Sequence, residues 1–121
     1  MRLNRIIIFV ADVEKVSEFY ETRFDLPVIE STRGSKEWRE LDAGGIRLAF
    51  HQAYGPQGPV LEATGSEYNP HKIVFYVENI RESRETLISK GVDMGEIQNF
   101  GNRQYCDGSD PEGHRFQICN E

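Results

Sequence analysis

Few residues in this chain of 121 could do chemistry: three histidines, two cysteines, and a set of cations set into or at the head of apolar strands. His51 ends the alternating run Arg47-Leu48-Ala49-Phe50-His51 and so shares a strand face with Arg47 and Ala49. An imidazole there could act as a general base or a ligand. Glu40 is the one carboxylate expected on that face, placed directly across a hairpin from Arg47, and is the second candidate base. His71 precedes Lys72 and falls on the opposite face, while His114 follows Gly113 in a turn where surface polar residues are common; both read as structural. Cys106 has Gln117 opposite it in the expected pairing, which supplies no base to activate a thiol, so it reads as a small strand residue.

The cations suggest recognition rather than bond chemistry. Period-two projection puts Arg5, Ile7 and Phe9 on one wall, with Lys72, Val74 and Tyr76 as their counterparts further along the chain. Trp38, Glu40, Arg47, Ala49 and His51 join the first wall; Gln104, Cys106, Arg115, Gln117 and Cys119 join the second. Two readings are open. In one, Arg5, Lys72 and Arg47 or Arg115 hold the carboxylate or phosphate of an organic anion while Phe9, Trp38 and Tyr76 pack on its apolar body. In the other, each cation is neutralised by the chain's own acids and the walls are filled core.

The elements that must position these residues come from an internal repeat. Arg5 to Val13 lies over Lys72 to Ile80 at a spacing of 67, matching in type from a cation through an apolar strand to an acid or amide. A helix is expected after each strand. Val13, Val16, Phe19 and Tyr20 make an apolar stripe in the first; Ile80, Leu87 and Ile88 make a sparser one in the second. Asp12 and Asn79 are suited to cap these helices, Asn79 with Glu82 resembles a capping box, and Gly91 supplies a stop. Each half closes with a hairpin, 37–41 with 46–52 and 103–107 with 114–119. The Gly45 and Gly113 turns stand 68 apart, so one residue has been added by a loop. Phe19, Tyr20, Phe24, Phe50, Phe75 and Phe116 fall on helix-facing positions and read as core. The expected organisation is a single domain over 1–121, with module one at 1–52, a Gly- and Pro-rich linker at 53–70 and module two at 71–121. Neither half of about 50 residues can bury a sheet face alone, so the two faces are expected to meet in a cup or at a dimer interface.

Composition excludes several classes. The net charge of -6 and the lack of any run of three Lys or Arg argue against a nucleic-acid surface. The longest apolar stretch, Ile6 to Ala11, is far short of the roughly 20 residues that span a bilayer, and it leads into an acidic amphipathic segment, unlike a secretory leader. The expectation is a cytoplasmic protein with Cys106 and Cys119 as free thiols.

Val10-Ala11-Asp12-Val13, Phe19-Tyr20 followed by Phe24-Asp25-Leu26-Pro27-Val28, the Gly44-Gly45-Ile46-Arg47-Leu48 hairpin, Val77-Glu78-Asn79-Ile80 and Asp110-Pro111-Glu112-Gly113-His114 together resemble the vicinal oxygen chelate superfamily of glyoxalases, bleomycin-resistance proteins, extradiol dioxygenases and epimerases. The resemblance implies an α+β fold of two tandem βαβββ modules forming a cup-shaped mixed sheet, commonly in a homodimer. Metal-dependent relatives carry His and Glu ligands on the first and last strand of each module. The matching positions here are Arg5, Lys72, Ala49 and Gln117: two cations, a methyl group and a neutral amide. At about 5 Å and an effective dielectric near 20, each cation would repel a divalent metal by roughly 6 kcal/mol. No metal and no cofactor are therefore expected. The reading is a metal-free binder of a small, anionic organic molecule. The alternatives are a metal-independent lyase or isomerase with His51 or Glu40 as base, a drug-sequestering resistance protein, and an interaction module with a closed cup. A polycationic drug would be opposed by the cations of the walls.

Overall fold

The computed structural model describes residues 1–63 and 71–121, which fall into two compact units, Met1–Thr64 and Gly65–Glu121. Each unit runs strand, helix, strands, as the repeat requires. The part of the expected linker at 64–70 lies outside the described residues.

In the first unit β1 (Arg5–Val10) leads into α1 (Val13–Arg23), then into β2 (Trp38–Asp42) and β3 (Arg47–Gln52). β3 is the centre of the sheet, parallel to β1 and antiparallel to β2, and a single bridge between Val28 and Leu41 adds the remnant of a further strand. Asp12 caps α1, its carboxylate accepting from the Lys15 N–H at 2.9 Å. The helix buries Val13, Val16, Phe19 and Tyr20 against Leu41, Leu48 and Phe50. A short ladder, β4 (Tyr54–Gly55) with β5 (Gly58–Pro59), follows within the stretch expected to be linker.

In the second unit β6 (Ile73–Tyr76) leads into α2 (Ile80–Ser89), β7 (Asp93–Met94), β8 (Gln98–Phe100), β9 (Arg103–Ser109) and β10 (Arg115–Cys119). The sheet order is β6-β10-β9-β7, with β8 hairpinned onto β9. Asn79 caps α2 by accepting from the Glu82 N–H at 3.0 Å, and Gly91, at φ 81°, ends it in the left-handed conformation glycine favours. Ile80 and Leu87 are buried, but Ile88, expected on the same face, is 43% exposed. Val92 and Met94, just past the helix, take up the burial instead.

The register of β9 departs from expectation. Cys106 pairs with Ile118 and Gln117 with Asp107, so Gln104 and Cys106 lie on the helix side and Arg103, Tyr105 and Asp107 share the face of Gln117. The cause is the turn. Five residues, Asp110 to His114, separate the paired Ser109 and Arg115, where Ala43 to Ile46 in the first unit are four. The Asp110 carboxylate accepts from the Glu112 and His114 N–H groups, both at 2.9 Å, and from His114 Nδ1 at 2.9 Å, drawing His114 out of the strand. His114 and Asp110 are buried, so His114 is structural as expected but is not a surface residue. One added residue moves every β9 side chain to the other face.

Candidate functional site

In each unit the face away from the helix collects most of the polar residues singled out by sequence, Gln104 being an exception. On the first, three rows run across β1, β3 and β2: Arg5, Arg47 and Asp42; Ile7, Ala49 and Glu40; Phe9, His51 and Trp38. Glu40 is thus directly opposite Ala49, and Asp42 rather than Glu40 is opposite Arg47. The diagonal suffices for a long side chain. Glu40 Oε2 accepts from Arg47 Nη1 at 3.0 Å, and Oε1 accepts from Trp38 Nε1 at 2.9 Å and lies 3.2 Å from Arg5 Nη2. Asp42 turns instead to the hairpin and accepts from the Gly44 N–H.

Glu40 is almost wholly buried, its side chain 7% exposed, while Arg5 and Arg47 keep 34% and 46% of theirs. Burial alone would raise the Glu40 carboxyl. The hydrogen bonds from Trp38 and Arg47 and the charges of Arg5 and Arg47 outweigh it and hold the group below the usual carboxylate range, ionised at neutral pH. Two guanidiniums therefore share the Glu40 carboxylate, while the other acid of this face, Asp42, is engaged by the hairpin. Arg5 is also incompletely satisfied: its Nε is buried without a hydrogen-bond acceptor, and its guanidinium lies 5.5 Å from the centre of the Trp38 ring.

The third row is aromatic. The His51 ring meets Phe9 and Trp38 edge-on, each at 5.5 Å between centroids, and Tyr54 at 6.3 Å. His51 Nδ1 lies 2.8 Å from the Gln52 carbonyl. A carbonyl can only accept, so Nδ1 carries the proton and Nε2 of the neutral ring keeps its lone pair.

The second unit repeats the plan. Lys72 Nζ sits 3.1 Å from Asp107 Oδ1, which also accepts from Gln117 Nε2 at 2.8 Å. Lys72 and Asp107 pair one to one, and Arg103 and Arg115 are further cations of the same face. Lys72, Phe100, Arg103, Tyr105, Asp107 and Gln117 line an open depression of about 390 Å³. Tyr76 shares this face and is 67% exposed. Asp107 is the residue missed by sequence reasoning, although it stands 67 positions after Glu40, as Tyr105 does after Trp38.

The two thiols differ. Burial raises Cys106, whose Sγ donates to the Gly95 carbonyl. Cys119 lies on the opposite face of the sheet, where Arg103 Nε at 3.1 Å lowers its pKa. Both are free. Facing opposite sides of the sheet, they cannot bridge without a register shift.

The positions that would hold a metal in the resembled superfamily do not fit one. Arg5 is paired to Glu40, Lys72 to Asp107, Gln117 donates to Asp107, and Ala49 offers a methyl group. Among the described residues no group of three or more His, Cys, Asp or Glu is arranged to hold a metal ion.

Comparison with known proteins places the chain. The family model for the glyoxalase/bleomycin resistance protein/dioxygenase superfamily matches residues 2–118. A search of the curated proteins finds no match. Among solved structures, a glyoxalase/bleomycin resistance protein/dioxygenase family enzyme from Burkholderia phytofirmans PsJN is 22% identical, with a TM-score of 0.77 over 98% of each chain. Lactoylglutathione lyase from Agrobacterium tumefaciens is 14% identical, TM-score 0.73, over 98% of this chain and 92% of its own. The fosfomycin resistance protein FosX from Mesorhizobium loti is 17% identical, TM-score 0.66, over 100% of this chain and 91% of its own. At these identities the likeness concerns the fold.

Proposed function

Since the chain belongs to the glyoxalase/bleomycin resistance protein/dioxygenase superfamily, we propose that it is a metal-independent member that binds a small organic anion on the helix-free face of its first unit. One observation carries this reading: Arg5 and Arg47 converge on the one buried carboxylate of Glu40, and Arg5 keeps a buried Nε without an acceptor, beside an aromatic row. Buried or half-buried charge calls for a partner, and an anion supplies it. Phe9 and Trp38 then cover the ligand's apolar part. Lys72, Tyr76 and Gln117 form a secondary surface, in which Lys72 and Gln117 both bind Asp107. The protein works in the cytoplasm as a homodimer in this reading, an assembly to which β1 and β6, the end strands of their sheets, are suited. No helix among the described residues is long and apolar enough to cross a membrane.

The test is calorimetric titration with simple carboxylates and phosphate esters at low salt. Saturable binding, weakened at least tenfold in Arg5→Ala and little changed in Lys72→Ala, is expected. Binding that survives Arg5→Ala and Arg47→Ala together would refute the site, and stoichiometric zinc, nickel or iron in purified protein would refute metal independence.

A second reading has its own support. His51, its Nδ1 proton engaged by Gln52, keeps Nε2 available as a base beside the same cations, which suits a metal-independent lyase or isomerase. A turnover lost in His51→Gln with ligand affinity retained would distinguish catalysis from binding.

A further inference from the structure

We propose that the ligand of the first unit's face is a flat aromatic acid, its carboxylate attached to the ring directly or through one or two carbons. This rests on the anion-binding reading above and names its ligand class.

The third row is the reason. Phe9, His51 and Trp38 come from three adjacent strands in register, and Tyr54 extends the row. Aromatic side chains that only filled a core would be covered. Phe9 instead is 57% exposed and Tyr54 51%. Phe9 and Trp38 flank His51 from either side, two strands and so about 10 Å apart at the backbone, and their planes stand at 66° and 76° to the imidazole. A flat ring laid against this row meets the aromatic surfaces of Phe9, His51 and Trp38 together, contacts that favour a ring over an aliphatic group of the same size.

Charge placement sets the rest. Arg5 bridges the cationic and aromatic rows, its guanidinium on Glu40 and 5.5 Å from the Trp38 ring centre. An anionic group held by Arg5 therefore stands within a few ångströms of the ring it accompanies. A cationic aromatic ligand is disfavoured, because Glu40 is already engaged by Trp38, Arg5 and Arg47, and Glu37 accepts from the Tyr54 hydroxyl.

The chain supplies its own reporter, since Trp38 is the sole tryptophan. Benzoate and cyclohexanecarboxylate, alike in charge and size but not in flatness, would be titrated by calorimetry, with Trp38 emission followed on excitation at its red edge. Expected are a preference of about tenfold or more for benzoate, a saturable change in Trp38 emission with the same dissociation constant, and loss of the preference in Phe9→Ala. The exposure of Phe9 makes that variant fold normally, which circular dichroism checks. Equal affinity for the two acids would overturn the aromatic class and leave anion binding standing. Binding of benzoate with no change in Trp38 emission would put the ligand elsewhere and overturn the inference. No binding of either acid, nor of phosphate esters, would remove both readings.

Discussion

Glu40 is where the chemistry of single residues can be tested most directly. Replacing it by Gln removes the carboxylate to which both Arg5 and Arg47 are paired. Removing one partner of a buried pair costs about 3–5 kcal/mol, but both arginines are more than one-third exposed, or nearly so, and solvent screens them. A loss of about 1–3 kcal/mol is therefore expected from urea unfolding at pH 7. The loss is pH-dependent. The folded carboxyl lies below its unfolded value of about 4.3, so the stabilisation is complete above that value and disappears as pH falls through the lower folded one. The stability gap between the parent and Glu40→Gln should narrow from pH 5 down to pH 3; a gap constant over that range would mean that the carboxylate's charge contributes nothing. That Glu40, Arg5, Trp38 and Arg47 share one strand face was legible in the sequence. What sequence could not show was the stoichiometry, two cations to one acid here and one to one at Lys72 and Asp107, because diagonal reach depends on side-chain conformation.

At the scale of elements, a turn decides which residues meet. The spacing of 67 holds up to the hairpin and 68 after it, so the added residue lies within the turn, and Asp110 is what accommodates it. Asp110→Ala removes three acceptor contacts from a buried turn and should cost about 3 kcal/mol; a change under 1 kcal/mol in urea unfolding would show that the strands hold the register unaided. Gly108 is a second fixed point. A Cβ there would lie 2.6 Å from Met94 Sδ and closer still to Phe116 Cζ, with both side chains packed in the core. Gly108→Ala should destabilise by about 2 kcal/mol or more through overpacking, whereas Gly34→Ala, with open space at its Cβ, should be nearly neutral. The helices, by contrast, were readable almost to the residue, since caps and stripes are local signals. Ile88 was misread because α2 is short and Val92 and Met94 compete for the same burial.

For the whole molecule, the repeat predicts cooperation. The units have 64 and 57 residues and present apolar side chains on the face away from the helix: Ile7 and Phe9 in one, Val74 and Tyr76 in the other, all more than 40% exposed. Units of this size are marginal alone. Unfolding in urea should therefore give one transition, and sedimentation should give about twice the chain mass of 13.9 kDa. Two separated transitions, or a monomer at micromolar concentration, would count against the homodimer. A homodimer would also make the midpoint rise with protein concentration.

Sequence alone determined the two-module plan, the capped helices and most of the polar face. These depend on residue type, on periods of 2 and 3.6, and on the repeat, all of which are local or additive along the chain. Only the tertiary structure decided the register of β9, the partnership of Lys72 with Asp107, the burial of His114 and the sharing of Glu40 by two arginines. Each of those turns on a pairing between residues distant along the chain, and a single inserted residue, or one side chain reaching diagonally, changes the partner while leaving the pattern along the strand the same.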